Sequence, residues 1–173
     1  MTTPLSPATA TPAQLLFGDL DAEFASTRRV LAQLPDGRAD FRPHEKSTTL
    51  GALATHLAEL PGLANMVMTS DELDWATSPY TPTAFTTTAD VLAGFDATSA
   101  SMRAAIDAVT WEDVGKRWVM RVGDQILVDG VKGQLVRSFG ISHMAHHRAQ
   151  LGVYLRLLDI AVPGVYGPSA DEM

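Results

Sequence analysis

The sequence contains no cysteine among its 173 residues. Disulfide bridges, thiolate metal sites and a cysteine nucleophile are therefore excluded, and the composition suits a reducing cytoplasm. Charged side chains are also scarce, at 19% of the residues, with a net charge of −7 and no basic block. Because nucleic acids and anionic membrane surfaces are bound mainly through clustered Lys and Arg, we expect neither as a partner.

Long apolar runs are missing as well. No uncharged stretch reaches the roughly 18 residues that a membrane-spanning helix requires. The first 18 residues lack the basic and apolar regions of a secretory signal peptide. Hydrophobic residues nevertheless make up 46% of the chain, which is enough to build a core. The length predicts a single domain over residues 1–173, in which the Thr- and Pro-rich residues 1–12 form a flexible lead-in.

Two segments carry the apolar spacing of three and four that is typical of half-buried helices. The first covers residues 13–34 and stops at Pro35 and Gly37. The second begins near Ser47, a favourable residue type for an N-cap, and continues to Val67. The spacing therefore predicts two amphipathic helices in the first 70 residues.

Pro61 lies inside the second predicted helix. A proline has no backbone N–H, so the carbonyl of Leu57 loses its helical donor. We therefore expect the helix to be kinked or frayed just after His56. The following residues 70–87 are rich in Thr and Pro and predict a long crossing loop.

The second half of the chain combines two further helices with a short hairpin. Thr87 and Asp90 resemble a capping box that opens a third helix. Residues 116–122 and 125–128 alternate like strands around the turn dipeptide Gly123-Asp124. The predicted buried stripe of the third helix comprises Val91, Phe95, Ser99, Met102, Ile106 and Val109.

A fourth helix is predicted from Val131 to Leu158 or Ile160, before Pro163 and Gly164. Together the four helices predict an all-α four-helix bundle with one long crossover and a short β-hairpin before the last helix. The spacing of the fourth helix predicts a core seam with a polar middle, formed by Val136, Gly140, His143, His147, Gln150, Tyr154 and Leu157.

The polar middle of this seam indicates a metal site. Buried imidazoles need partners, and histidines at i and i+4 project from one helix face close enough to share an ion. His143 and His147 have this spacing, and His56 occupies a matching seam position on the second helix. Three protein ligands would leave a position open for water or substrate. His143 with His146 is the competing pair, and His44, beside a proline, is interpreted as a surface residue.

Two stretches resemble the DinB-like family. One is Ser47-Thr-Thr-Leu-Gly-Ala-Leu-Ala-Thr-His56-Leu-Ala-Glu59, preceded by Arg42-Pro43, and the other is His143-Met-Ala-His-His147-Arg148-Ala-Gln150-Leu. The second stretch is similar to the family's H-x-x-x-H-R-x-Q-L motif, although Ala149 stands where Gly is common. The resemblance implies a four-helix bundle that binds one divalent metal through His56, His143 and His147, and it implies frequent homodimers.

Members of that family include metal-dependent thiol transferases, maleylpyruvate isomerases and hydrolases that use mycothiol, bacillithiol or glutathione. The resemblance therefore implies a metal-dependent transferase or hydrolase, with a small-molecule substrate and a low-molecular-weight thiol as cosubstrate. Zinc or nickel is the expected ion, with iron or manganese as alternatives. Metal affinity should fall as the pH drops through about 6.5, because imidazole must be neutral to bind.

The proton carrier is left open among His146, Glu59 and Tyr154. Each of these residues has a purely structural alternative: His146 and Glu59 on solvated helix flanks, and Tyr154 in the core. The alternative function is a non-enzymatic, metal-stabilised dimeric bundle that binds a small ligand or partner. Pairing into a homodimer is also suggested by apolar residues off the main seams, namely Leu15, Val30, Met66, Met68, Val153 and Leu158.

Overall fold

The structure, a computed structural model, describes residues 9–173, so most of the predicted lead-in lies outside the described residues. The described chain is mostly helical and carries one small three-stranded sheet. Its helices are α1 (Pro12–Leu16), α2 (Leu20–Leu31), α3 (Leu50–Thr69), α4 (Thr88–Asp107), α5 (Trp111–Gly115), α6 (Lys132–Val136) and α7 (His143–Leu157), and a π-helical turn (Arg137–Ser142) joins α6 to α7. Its strands are β1 (Glu72–Asp74), β2 (Arg117–Val122) and β3 (Gln125–Val131).

The first predicted helix is two helices, because the chain breaks between α1 and α2. Phe17 ends α1 and is fully buried, as is Leu20 at the start of α2. Arg137 donates a hydrogen bond to the carbonyl of Leu16 and binds the Asp19 carboxylate at 3.0 Å. A distant arginine thus satisfies the backbone that the break leaves open, which the local spacing did not show.

The second predicted helix begins at Leu50, and its N-cap lies two residues later than the predicted Ser47. Thr49 is its N-cap, and the Thr49 hydroxyl accepts a hydrogen bond from the Ala52 amide at 3.3 Å. The amide of Ser47 donates instead to the His44 carbonyl in the preceding turn. Both residues have suitable side chains for a cap, and the turn decides which one serves.

Helix α3 continues through Pro61 to Thr69, so the helix is not frayed at this proline. Pro61 is buried. The carbonyl of Ala58, in the same turn, accepts a hydrogen bond from the Thr98 hydroxyl of α4 at 2.7 Å. Packing and hydrogen bonding from α4 therefore hold this turn of α3 in place although Pro61 supplies no backbone donor.

The third predicted helix is confirmed as α4, with Thr87 as its N-cap. The Thr87 hydroxyl accepts a hydrogen bond from the Asp90 amide at 3.2 Å. Five of the six predicted stripe residues are buried, and Val109 is half-buried. Because side chains three and four apart share one helix face, the stripe was readable from sequence.

The predicted hairpin is present as β2 and β3, which pair antiparallel. Gly123 has a φ of +56° in its turn, the region that a first central turn residue of type II′ requires. Strand β1, inside the predicted crossing loop, pairs in parallel with β2, giving the order β1-β2-β3. The chain is therefore mostly helical with a small sheet, rather than all-α with a hairpin.

The register of the last helix differs from the predicted seam by one position. Val136, Gly140 and Tyr154 are buried as predicted, but the buried positions between Gly140 and Tyr154 are Ile141, Met144, Arg148 and Leu151. The π-helical turn contains one more residue than an α-helical turn, so the buried face continues through Met144, Arg148 and Leu151 rather than through His143, His147 and Gln150.

The polar members of the predicted seam consequently lie on the flank of α7. His143 and His147 are half-buried and Gln150 is exposed. Leu157, the last member of the predicted seam, is 56% exposed. The histidines thus lie at the edge of the helix packing rather than at its centre. At the edge a ligand can reach them.

Helix α3 is central, because it packs against α4, α7, α6 and the π-helical turn, while α2 packs against α4 and α7. One core cluster lies among α2, α3, α4 and α7, and a second lies toward the sheet around the fully buried Trp118. Within the described residues no helix is long and apolar enough to cross a membrane.

Candidate metal centre

Three histidines from two packed helices meet at the edge of this helix packing. His56 projects from α3, and His143 and His147 project from successive turns of α7. One ring nitrogen from each lies within 4.8 Å of the other two. The ring centroids are 4.6–5.2 Å apart. These are the three residues that the sequence singled out, and the described part of the chain holds them as one group that could bind a metal ion.

The distance between the two α7 histidines suits a shared ion. The Nε2 atoms of His143 and His147 are 2.8 Å apart. Two imidazole nitrogens that bind one ion at about 2.0–2.1 Å each, at angles between octahedral and tetrahedral, are roughly 3 Å apart. The two nitrogens are therefore at a distance at which both can bind one ion. His146, the alternative partner of His143, is exposed and outside the group.

The backbone just before α7 packs closely against side chains of α3 and α4. Gly140 lies in the π-helical turn just before His143. A Cβ atom at Gly140 would lie 2.9 Å from the Cβ of Ala64 and 2.8 Å from the Cε of Met102. Only glycine permits this contact without a shift. The π-helical turn and Gly140 together place the two α7 histidines opposite His56.

Gln150 orients one of the imidazoles. Its Oε1 lies 2.7 Å from Nδ1 of His147. An amide oxygen only accepts, so this contact places the proton of a neutral His147 on Nδ1 and leaves Nε2 free. Nε2 is the atom that faces His143. Such an orienting hydrogen bond is typical of metal-binding histidines.

The surroundings of all three imidazoles favour the neutral form. Burial lowers the pKa of His56, and the nearby Glu59 opposes this only in part. Burial, together with the neighbouring His147, His56 and His146, lowers the pKa of His143 to about 4. Burial also lowers the pKa of His147, against the effect of Gln150. A metal competes with protons for these nitrogens, so the lowered pKa values move the expected loss of affinity to below pH 6.5.

The same shifts predict a pH dependence of stability in metal-free protein. Between pH 6.5 and about 4 the unfolded chain binds a proton at His143 and the folded chain does not. The stability that neutral His143 contributes is therefore present above pH 6.5 and lost as the pH falls through this window. We expect a loss of about 1 kcal/mol between pH 7 and 5 for this half-buried ring.

Urea unfolding in the presence of a chelator measures this effect. The His143→Gln variant is the control, because it keeps a polar side chain but has no titrating ring. Its stability should fall less than that of the parent protein between pH 7 and 5. Equal losses in the two proteins would contradict the prediction.

The three candidate proton carriers occupy different environments. Glu59 lies one turn after His56, and its carboxylate accepts hydrogen bonds from the hydroxyls of Tyr80 and Thr83. His146 is exposed, with its ring 4.8 Å from that of His147.

Tyr154 is buried in the core beside Phe41, and its hydroxyl donates to the Thr48 carbonyl at 3.1 Å. This position favours the packing alternative for Tyr154. His44 is exposed, as expected for a surface residue.

Sequence reasoning missed a buried ion pair directly beside the histidines. Arg148, the residue after His147, binds the carboxylate of Glu23 at 2.8 Å and the hydroxyl of Thr27 at 3.0 Å. It also donates to the hydroxyl of Tyr166 at 2.6 Å. The available signal was the arginine in the H-R-x-Q-L motif. Its partners come from α2 and the chain's carboxyl-terminal segment, so local spacing could not identify them.

Sequence reasoning also missed a cleft of about 710 Å³ that borders the histidines. His56 and Glu59 lie in its wall, and the chain between β1 and α4 contributes Trp75 and Tyr80. This segment looked like a plain crossing loop in the sequence. Its fold over α3 forms a concave surface beside His56.

Comparisons with known proteins agree with this architecture. The model of the DinB family matches residues 9–173. The chain is similar to a DinB-like protein from Bacillus cereus ATCC 10987, with 21% identity, a TM-score of 0.62 and coverage of 87% of this chain and 95% of that one. It is also similar to the DinB-like protein YjoA from Bacillus subtilis, with 15% identity, a TM-score of 0.66 and coverage of 87% and 96%. At these identities the likeness shows the fold alone.

A shorter match extends to the uncharacterized protein YrdA of Bacillus subtilis strain 168. It is 47% identical over 34 residues, which span 20% of this chain and 20% of YrdA. The family model, by contrast, covers nearly the entire chain, including all three histidines. The chain therefore belongs to the DinB family.

Proposed function

We propose that this protein is a metal-dependent transferase or hydrolase that binds one divalent ion through His56, His143 and His147. The observation that carries the proposal is the convergence of three imidazoles, with lowered pKa values, beside a cleft. Zinc or nickel is the proposed ion, and iron or manganese is the alternative, because three imidazoles suit several of these ions.

A bound ion would lower the pKa of a coordinated thiol or water and so provide a nucleophile near neutral pH. The chain's own residues supply orientation and access. Gln150 holds His147 in one tautomer, and the cleft beside His56 admits a small molecule. Glu59 and His146 are the two candidates for proton transfer, since the hydroxyl of Tyr154 is engaged with the Thr48 carbonyl.

A low-molecular-weight thiol is the proposed cosubstrate, and membership of the DinB family supports it. The proposal also includes packing of the four long helices as one bundle. The contacts of α2 and α3 with both α4 and α7 support that arrangement.

A turnover assay tests the proposed activity. Protein loaded with zinc, nickel, iron or manganese is incubated with mycothiol, bacillithiol or glutathione and a panel of electrophiles and esters. We expect turnover that needs the metal, that stops on addition of a chelator and that is at least a hundredfold lower in the His143→Ala variant. Hydrolysis without thiol would identify the hydrolase branch. Absence of turnover across the panel with metal-loaded protein would contradict the enzymatic proposal.

The second candidate is a non-enzymatic, metal-stabilised homodimer that binds a small ligand or partner. Exposed apolar side chains favour a contact with a second copy, and Leu15, Met66 and Val153 are of this kind. Val30 does not contribute, because it is buried in the core, and Met68 and Leu158 are half-buried against the core clusters. Light scattering separates the states: a dimer has twice the chain mass of 18.5 kDa.

A further inference from the structure

The cleft beside His56 has a largely apolar wall. Helix α3 and strand β1 form one side, and the segment after β1 forms the other. The rings of Trp75 and Tyr80 stand edge to face, with centroids 6.0 Å apart. The apolar residues that line it include Leu60, Leu63, Met66, Leu73, Trp75 and Tyr80. A volume of about 710 Å³ lies within the range of pockets that bind small organic ligands.

The charges around the cleft have one sign. Among its lining residues there is no Lys or Arg, and Glu59 is the acidic one. The Glu59 carboxylate is fixed by three hydrogen bonds. It accepts one from the Tyr80 hydroxyl, one from the Thr83 hydroxyl and one from the Thr83 amide at 3.1 Å. An anionic group that entered the cleft would lose water, meet a carboxylate and gain no basic partner.

His56 links the cleft to the histidine group. It is the member of the group that also lines the cleft. A molecule whose reacting group lies at the three imidazoles can therefore extend its remaining atoms along α3 past Leu60 and Leu63. The direction of the cleft thus places the body of a substrate, rather than its reacting group, among the apolar side chains.

We propose that this cleft binds an uncharged, apolar body of the substrate, such as a phenyl ring or a branched alkyl chain, while the reacting group lies at the histidines. The inference rests on the proposed function for the position of the reacting group. Binding of the apolar body itself needs neither metal nor reaction. Substrates that present a carboxylate to the cleft are discriminated against by Glu59.

Three probes that share a benzyl group and differ in charge test the proposal: benzyl alcohol, benzylamine and phenylacetate. Dissociation constants are measured by NMR titration of metal-free, full-length protein at pH 7.5. We expect benzyl alcohol to bind with shifts at cleft residues, and phenylacetate to bind at least tenfold more weakly. A 4-methyl and a 4-ethyl substituent should each tighten binding of the alcohol, by about fourfold per added carbon.

Two variants locate the binding. Met66→Glu adds a charge to the cleft wall at a side chain that is 38% exposed, and it should weaken benzyl alcohol binding at least tenfold. Leu157→Glu, on an exposed part of α7 outside the cleft, is the matched control and should leave it unchanged. Glu59→Gln should reduce the difference in dissociation constant between phenylacetate and benzyl alcohol, because it removes the negative charge from the cleft.

Equal affinities for the three probes, or an unchanged affinity in Met66→Glu, would overturn the proposal. A shift in molecular mass by light scattering in Met66→Glu alone would assign the cleft to a contact between two copies and would overturn it as well. If the probes bind as expected while the metal-loaded protein turns nothing over, the proposed function fails and the apolar subsite remains.

Discussion

Replacing Arg148 with alanine should lower the free energy of unfolding by about 3–5 kcal/mol. The Arg148 guanidinium is almost fully buried and forms an ion pair with the Glu23 carboxylate, which is itself buried. Its removal leaves that carboxylate charged in a low-dielectric interior. Within the described residues, the Tyr166 hydroxyl at 3.1 Å then remains as its side-chain hydrogen-bond donor. Urea denaturation of both proteins at pH 7.5 measures the difference.

The Arg28→Ala variant is the matched control for this experiment. Arg28 also makes two hydrogen bonds to one carboxylate, that of Asp96, but both side chains are about half exposed. A surface pair of this kind contributes about 0–1 kcal/mol. The double variant Glu23→Leu with Arg148→Met should recover part of the loss, because no buried charge is left unpaired. A loss in Arg148→Ala no larger than in Arg28→Ala would show that the buried pair has no special weight.

The same variant bears on the histidines. Arg148 follows His147 and fixes this part of α7 to α2. If the α7 anchor loosens, His147 moves relative to His56, and three ligands no longer converge. We therefore expect weaker metal binding in Arg148→Ala even at temperatures where it remains folded.

The second large effect concerns metal binding itself. The His147→Ala variant should bind divalent metal at least a hundredfold more weakly, because it lacks one of three converging nitrogens. The outer partner Gln150 should matter less, and Gln150→Ala should weaken binding by about 10–100-fold. Metal content after gel filtration and titration with zinc and nickel measure both changes.

His146→Ala is the control, because it removes the neighbouring imidazole, which is exposed and outside the group. The parent protein at a metal concentration a hundredfold above Kd should gain about 2.7 kcal/mol of stability, and a chelator should remove it. His147→Ala should show no such response. One equivalent of tightly bound metal in His147→Ala would refute the three-histidine site.

Local patterns were enough to identify several elements of the fold. The stripe of α4 and its Thr87 cap follow from residues within a few positions of one another, as do the hairpin and its Gly123 turn. Such features are readable because helix periodicity, capping and tight turns depend on neighbouring residues. The histidines were identifiable for the same reason. His143 and His147 share one helix face, and His56 occupies a seam position on the second predicted helix.

Tertiary structure decided how these elements are placed. The π-helical turn shifts the buried face of α7 to Met144 and Arg148 and moves the histidines to its flank. Strand β1 exists because it pairs with β2, some 45 positions later. Arg148 finds Glu23 across 125 positions, and the cleft forms where the segment after β1 folds over α3. Each of these depends on contacts between residues far apart in the chain, whose energies no local spacing records.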